Sequence, residues 1–303
     1  MSTCTHPHVL VTGASSGIGR ATAVRLAAGG HHVYAGVRKP ADGTALQQAA
    51  LSAAASGEIT PLLLDVTSPA QITAAAHAVT EHAGAAGLSG LVNNAGIGVF
   101  GPLELIGIDD FRRLLEVNVT GQLAVTQAFV PLLRQAQGRI VVIGSIGTRF
   151  TPPFVGLLAA SKSALATLCE ALRQELAPWN IRVVLIEPAS IRTEAVGKLG
   201  HDAQHLMNQT TPTGRDLYQD AFGQLVAAFG AQHEHGSPPE AVARAVARAL
   251  TTPRPRARYL VGKHSRQMAI MAATLPAPVL DGLRRKRTHQ PAPRSRLTAG
   301  QAT

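Results

Sequence analysis

The chain is poor in the residues that staple small or exported folds. It has two cysteines, Cys4 and Cys169, in 303 residues. Two thiols cannot build a disulfide framework, and alone they fall short of a four-ligand zinc site. That scarcity fits a reducing compartment, and a cytoplasmic location is the expectation. Aromatic residues are 4% of the chain and charged residues 15%. No apolar run reaches the roughly 18–20 residues that span a bilayer. The nearest candidate, residues 268–280, is interrupted by Pro276 and Pro278. The first residues lack the ordered charged, apolar and cleavage regions of an export signal. No internal repeat is visible.

Apolar residues are plentiful, at 46%, and the chain has 29 glycines together with many alanines. That mixture suits close packing of helices on a sheet and excludes global disorder. The length fits one or two domains. The formal net charge of +10 is unevenly spread. Residues 1–250 carry 17 basic and 17 acidic side chains, whereas residues 251–303 carry 11 basic ones and a single acid, Asp281. A nucleic-acid enzyme carries its basic charge on the folded face. Here the body is neutral, so no nucleic-acid partner is expected.

Short β-branched runs alternate with longer Ala/Leu stretches. Strands are predicted at 9–11, 32–35, 59–64, 88–92, 139–143, 181–186 and 258–261. Helices are predicted at 18–28, 45–55, 69–81, 109–135 (one long helix or two), 157–177 and 239–250. This order predicts an α/β fold, a Rossmann-like doubly wound parallel sheet of about seven strands with helices on both faces. Its ligand crevice lies beyond the carboxyl ends of the strands, where strand order reverses. Residues 1–262 form a single Rossmann-like domain in this reading. Residues 192–236, glycine-rich with scattered helical patches, are predicted to be a mobile substrate lid. Residues 263–289 form an apolar and basic extension, and 290–303 a disordered tail.

The first strand runs into Thr12-Gly13-Ala14-Ser15-Ser16-Gly17-Ile18-Gly19 before a helix. Glycines there let the backbone turn tightly against a diphosphate, and the helix start attracts negative charge. Ser15 and Ser16 add hydroxyl donors. A site for NAD normally carries an acid about 20 residues further on. Here Arg38 and Lys39 precede the first acid, Asp42. Arg38 suits a 2′-phosphate, so NADP(H) is expected over NAD(H).

These residues carry a resemblance. The glycine turn, Leu64-Asp65-Val66, Asn93-Asn94-Ala95-Gly96, Asn118, Ser145, Ser161-Lys162 and Pro188 followed by Thr193 resemble the short-chain dehydrogenase/reductase family over residues 8–262. The resemblance implies that Asp65 and Val66 contact adenine. It implies that Asn93, Ala95 and Gly96 shape the cofactor floor, and that Pro188, Ile191 and Thr193 hold the nicotinamide end. Ala189 stands where the family usually has glycine. The implied catalytic group is Ser145 for the substrate oxygen, Lys162 for the cofactor ribose and Asn118 for the proton path. The family pattern is Tyr-x-x-x-Lys, and the tyrosine position here is Leu158. Leucine neither donates nor accepts a proton. An NADP(H)-dependent oxidoreductase of weakened activity is therefore the first expectation, and an NADP(H)-binding protein with little chemistry the second. Of the three tyrosines, Tyr34 and Tyr259 fall in strands, and Tyr218 falls in the lid.

No metal site is predicted. His233-Glu234-His235 alternates in a loop flanked by Gly and Pro, with no third ligand in view. Cys169, among Leu165, Leu168, Leu172 and Leu176, reads as a core thiol. Ser145 lacks the Gly-x-Ser-x-Gly elbow of a hydrolase nucleophile. Small residues along the 157–177 helix, as in relatives, suggest a homo-oligomer, a dimer or tetramer. The extension and its cluster Arg284-Arg285-Lys286-Arg287 are predicted to cover the substrate crevice with the arginines in water, with weak contact to an anionic membrane surface as the alternative. Such tails accompany relatives acting on lipophilic alcohols and ketones, which points to a lipophilic substrate.

Overall fold

The computed structural model describes residues 6–193 and 199–287, with the side chains of 232, 233 and 287 excepted. Cys4 and the predicted tail lie outside the described residues.

Seven parallel strands form one sheet in the order β3-β2-β1-β4-β5-β6-β7. They are β1 (His8–Val11), β2 (His32–Val37), β3 (Glu58–Leu63), β4 (Gly90–Asn93), β5 (Arg139–Ile143), β6 (Arg182–Pro188) and β7 (Arg258–Val261). Strand order reverses between β1 and β4, which opens a crevice at their carboxyl ends. One face is covered by α1 (Gly17–Ala28), α2 (Pro40–Ser52) and α9 (Pro239–Thr251). The other is covered by α3 (Pro69–Ala83), α5 (Gly121–Ala136) and α6 (Gly156–Glu175). A sheet clothed on both sides needs apolar residues at successive strand positions. β2 meets this with six consecutive buried residues.

Several elements depart from the expectations. Helix α2 starts at Pro40, not near residue 45, because Pro40 occupies its first turn behind Lys39 as N-cap. The expected helix or pair of helices over 109–135 is a pair, α4 (Ile108–Leu115) and α5, joined by a π-helical turn at Glu116–Thr120. The patchy lid is two helices, α7 (Leu199–Gln209) and α8 (Pro212–Glu234). Helix α8 runs through Gly214, Gly223 and Gly230, each of which costs about 1 kcal/mol against alanine. Phe222, Leu225, Val226 and Phe229, spaced at helical intervals, offset that cost by packing with Met207, Phe100 and Phe154. His233 and Glu234 belong to this helix, not to a loop, and the His233 side chain lies outside the described residues.

The extension forms α10 (Ser265–Thr274) and α11 (Ala277–Arg287). Met268 and Ala269 of α10 pack with Ile146 and Ala189, which follow β5 and β6. Arg284 is not left in water. Its guanidinium sits 5.2 Å from the Phe150 ring centroid and donates to the Arg149 carbonyl at 3.4 Å. Cys169 is buried in the core, as expected. The apolar face of α6, including Leu165 and Ala166, packs on the sheet. No helix of the described residues is long and apolar enough to cross a membrane.

Candidate active site

The turn after β1 is tied to the turn after β4 by one buried side chain. Thr12 Oγ1 accepts from the backbone N–H groups of Asn94 and Ala95, both at 3.0 Å, and donates to the Val92 carbonyl at 3.3 Å. Asn94 Nδ2 returns bonds to the carbonyls of Thr12 (2.9 Å) and Gly13 (3.0 Å). Gly13 has φ +61°, and a Cβ there would stand 2.8 Å from Ala95 Cα. At Gly19 a Cβ would come within 2.1 Å of the Gly13 carbonyl oxygen, so the helix start can approach the turn only without a side chain. Ser16 is the N-cap of α1 and its hydroxyl makes no capping bond. The first N–H groups of the helix, from Gly17, Ile18 and Gly19, have no partner within the helix and can hold an anion. Ser15 lies one residue earlier in the same turn. The segment after β6 closes on it, since Thr193 Cγ2 lies 3.4 Å from where a Gly17 Cβ would be. Ile191 of that segment is buried and bridges to Ser237, and Pro188 ends β6.

Arg38 is exposed directly beyond β2. Its positive field reaches Asp65, which follows β3 by two residues. The Asp65 carboxyl is held below its ordinary range first by the Thr67 N–H (2.9 Å), then by the Thr67 hydroxyl (2.7 Å) and Arg38, with burial opposing them. Val66 is buried beside it. Asn93, also buried, donates to Thr126 Oγ1 at 2.7 Å. Gln122 of α5 donates to the Ala95 carbonyl.

A second group gathers where β5, the π turn and α6 meet. Lys162 is buried, and its Nζ donates to the Ile143 carbonyl at 2.8 Å, two residues before Ser145. Burial pushes its pKa down to about 8. Asn118 sits in the π turn. Its Oδ1 accepts from the Ile97 N–H at 2.8 Å, and its Nδ2 donates to the Ile97 carbonyl and to Ser161 Oγ, both at 3.0 Å. A Cβ at Gly96 would lie 3.1 Å from Asn118 Oδ1 and 3.6 Å from Lys162 Nζ, so Gly96, Asn118 and Lys162 converge. Ser145 Oγ accepts from the Gly147 N–H at 3.0 Å. Leu158 is half-buried one helical turn before Lys162, and its carbonyl accepts from Ser161 Oγ. The tyrosine hydroxyls are engaged elsewhere. Tyr34 bonds histidines, Tyr218 bonds Glu104, and Tyr259 accepts from the Arg256 N–H.

Sequence reading missed Glu187. Its fully buried carboxylate accepts from Arg149 Nε (2.9 Å) and a terminal Arg149 nitrogen (3.0 Å), from Thr148 Oγ1 (3.0 Å) and from Arg258 (3.2 Å). Thr148 Oγ1 also donates to the Ser145 carbonyl at 3.0 Å, so the Ser145 loop is anchored to β6 and β7. The available signal was a lone acid closing an apolar strand, Val183 to Pro188.

A model of the short chain dehydrogenase family matches residues 7–204. The chain is 34% identical over 283 residues to Retinol dehydrogenase 5 of Mus musculus, which covers 91% of this chain and 86% of that protein. It is 33% identical over 279 residues to NADPH-dependent 3-dehydrocapnine reductase of Ornithobacterium rhinotracheale, covering 90% and 94%. A solved short-chain dehydrogenase from Streptomyces avermitilis has a TM-score of 0.71 at 28% identity, over 95% of this chain and 97% of that one. With the glycine turn, the reversed strand order and the Ser145–Lys162 region in one sheet edge, the chain belongs to the short-chain dehydrogenase family.

Proposed function

We propose that this protein is an NADP(H)-dependent oxidoreductase for a lipophilic alcohol or carbonyl compound, slowed because Leu158 stands where a proton-donating tyrosine is expected. The observation that carries the cofactor reading is the cradle between the turns after β1 and β4, where Gly13 and Gly19 leave no room for a Cβ. Gly13, Ser15, Ser16, Gly17, Ile18 and Gly19 hold the diphosphate, and Arg38 pairs with the 2′-phosphate. Asp65 and Val66 hold the adenine. Asn93, Ala95 and Gly96 form the floor, and Pro188, Ile191 and Thr193 hold the nicotinamide end. When bound, the cofactor supplies or accepts a hydride.

Ser145 binds the substrate oxygen. Lys162 holds or releases a proton at Nζ near neutral pH, because burial has brought its pKa to about 8. Asn118 positions the lysine. Leu158 offers no hydroxyl between them. Loss of a positioned general acid costs about 10²–10⁴ in rate, or roughly 3–5 kcal/mol of barrier. Binding of the dinucleotide is spared, since none of its contacts runs through Leu158. Relatives named for retinol and dehydrocapnine support a lipophilic substrate. A homo-oligomer is part of this proposal.

Leu158 also favours a second reading, a scaffold that binds NADP(H) and performs little chemistry. One experiment separates the two. Wild type, Leu158→Tyr and Arg38→Ser are titrated with NADPH and NADH, then assayed on a panel of lipophilic ketones. Expected are NADPH preference lost in Arg38→Ser, slow wild-type turnover, and a gain of at least about 100-fold in Leu158→Tyr. Equal affinity for both cofactors in the wild type contradicts the role of Arg38. Fast wild-type turnover unimproved by tyrosine contradicts the account of Leu158. Binding without turnover selects the second reading.

A further inference from the structure

Four ring side chains meet at the amino-terminal edge of the sheet, the end opposite the cofactor turn. The parallel register pairs His8 of β1 with His32 of β2, and His32 with Glu58 of β3. Paired residues in a parallel sheet point to the same face, so these three form one row. Tyr34, two residues on from His32, lies on that face as well. Helix α3 crosses it and brings His82 down from its last turn. Ring centroids of His32 and His82 are 4.6 Å apart, those of His8 and His32 5.2 Å, and those of His8 and His82 5.9 Å.

We propose that His8, His32 and His82 bind a divalent first-row transition ion of the zinc class. One nitrogen from each ring lies within 4.8 Å of the others. A tetrahedral zinc bound at about 2.0–2.1 Å sets its nitrogens about 3.4 Å apart, so the rings must close by little more than 1 Å. His82 is exposed at the end of a helix and can supply that movement, whereas His32 is buried and anchored.

The surroundings suit the role. The Tyr34 hydroxyl lies 3.1 Å from His8 Nδ1 and 2.8 Å from His82 Nδ1. Thr60 Oγ1 lies 2.9 Å from His32 Nε2, so each of the three rings has a hydroxyl partner on one nitrogen and keeps the other for metal. Such outer partners orient ligating imidazoles. Glu58, with a carboxylate oxygen 3.5 Å from His32 Nδ1, offers negative charge beside the ion, and a water completes the coordination.

The full-length protein, stripped with EDTA and desalted, is titrated with Zn²⁺ alone by calorimetry, and its thermal midpoint is followed. His82→Gln and, as a control, the exposed His264→Gln are run in parallel, with circular dichroism to verify folding. Expected are one ion per chain, a raised midpoint, and affinity at least about tenfold weaker in His82→Gln but unchanged in His264→Gln. His8→Gln provides the same comparison if His82→Gln is misfolded. Absence of saturable one-ion uptake overturns the site, as does a loss smaller than that in the folded variant. Neither result touches cofactor binding at the other end of β1 and β2.

Discussion

Lys162 is a buried lysine whose titration is set by the fold. A lysine ammonium in water titrates near 10.4, and burial among the core residues of α6 and β5 brings this one to about 8. Between those values the unfolded chain holds a proton that the folded chain has released, so stability rises with pH across that window. Two buried acids oppose the trend at higher pH. Cys169 is pushed up to about 12 by burial, and Tyr34 likewise, so each lowers stability once its unfolded form ionises. The window that isolates Lys162 is therefore about pH 8 to 9. Denaturation of the wild type against Lys162→Met across it is expected to show a wild-type gain of up to about 1.4 kcal/mol per pH unit that the variant lacks. Parallel profiles would mean that Lys162 is protonated throughout. The position of Lys162 was legible from Ser161-Lys162 and its place on a helix. Its depressed pKa was not, because it comes from burial by residues of distant stretches of the chain.

At the scale of elements, the strands were the most readable part, since six consecutive buried positions such as those of β2 leave a plain apolar signature. Helix α8 was the least readable. Its three glycines look like breakers in sequence, and only the neighbouring Phe100, Phe154 and Met207 explain why the helix continues. Glu187 belongs to this scale as well, since it joins β6 to β7 and to the loop that follows Ser145. Removing its charge leaves Arg149 and Arg258 facing one another without their shared anion. Breaking a buried pair typically costs about 3–5 kcal/mol. Both arginine side chains are about one-third exposed, which argues for the lower end. Glu187→Gln is expected to lower the thermal midpoint by several degrees in a melting curve. An unchanged midpoint would remove Glu187 as the anchor of the Ser145 loop.

Across the whole molecule, charge and apolar surface coincide at the carboxyl-terminal extension. Most of the body is electrically balanced, while residues 251–303 carry the excess. The helices of that extension expose Ile270, Val279 and Leu283 alongside Arg285 and Lys286. An anionic bilayer surface attracts such a combination, at about 1 kcal/mol per basic residue close to it. Sedimentation with phosphatidylserine-rich vesicles is expected to carry the protein down at about 0.1 M salt and to release it at about 1 M, where the Debye length shrinks from about 10 Å to 3 Å. Protein that stays in the supernatant at low salt would leave α10 and α11 solely as a cover over the loops after β5 and β6.

The linear chain by itself determined the sheet architecture, the glycine turn, the missing hydroxyl at position 158 and the basic end, because each is written in neighbouring residues or in a repeating apolar period. Tertiary structure alone decided what distant segments do together. His8, His32 and His82 are unremarkable in sequence, and become one cluster only when parallel pairing aligns β1 with β2 and α3 folds across them. The same holds for Glu187 and its arginines, which come from three separate stretches of chain. Local pattern encodes which element forms. The distances between side chains of different elements are set by register and packing, which no local pattern contains.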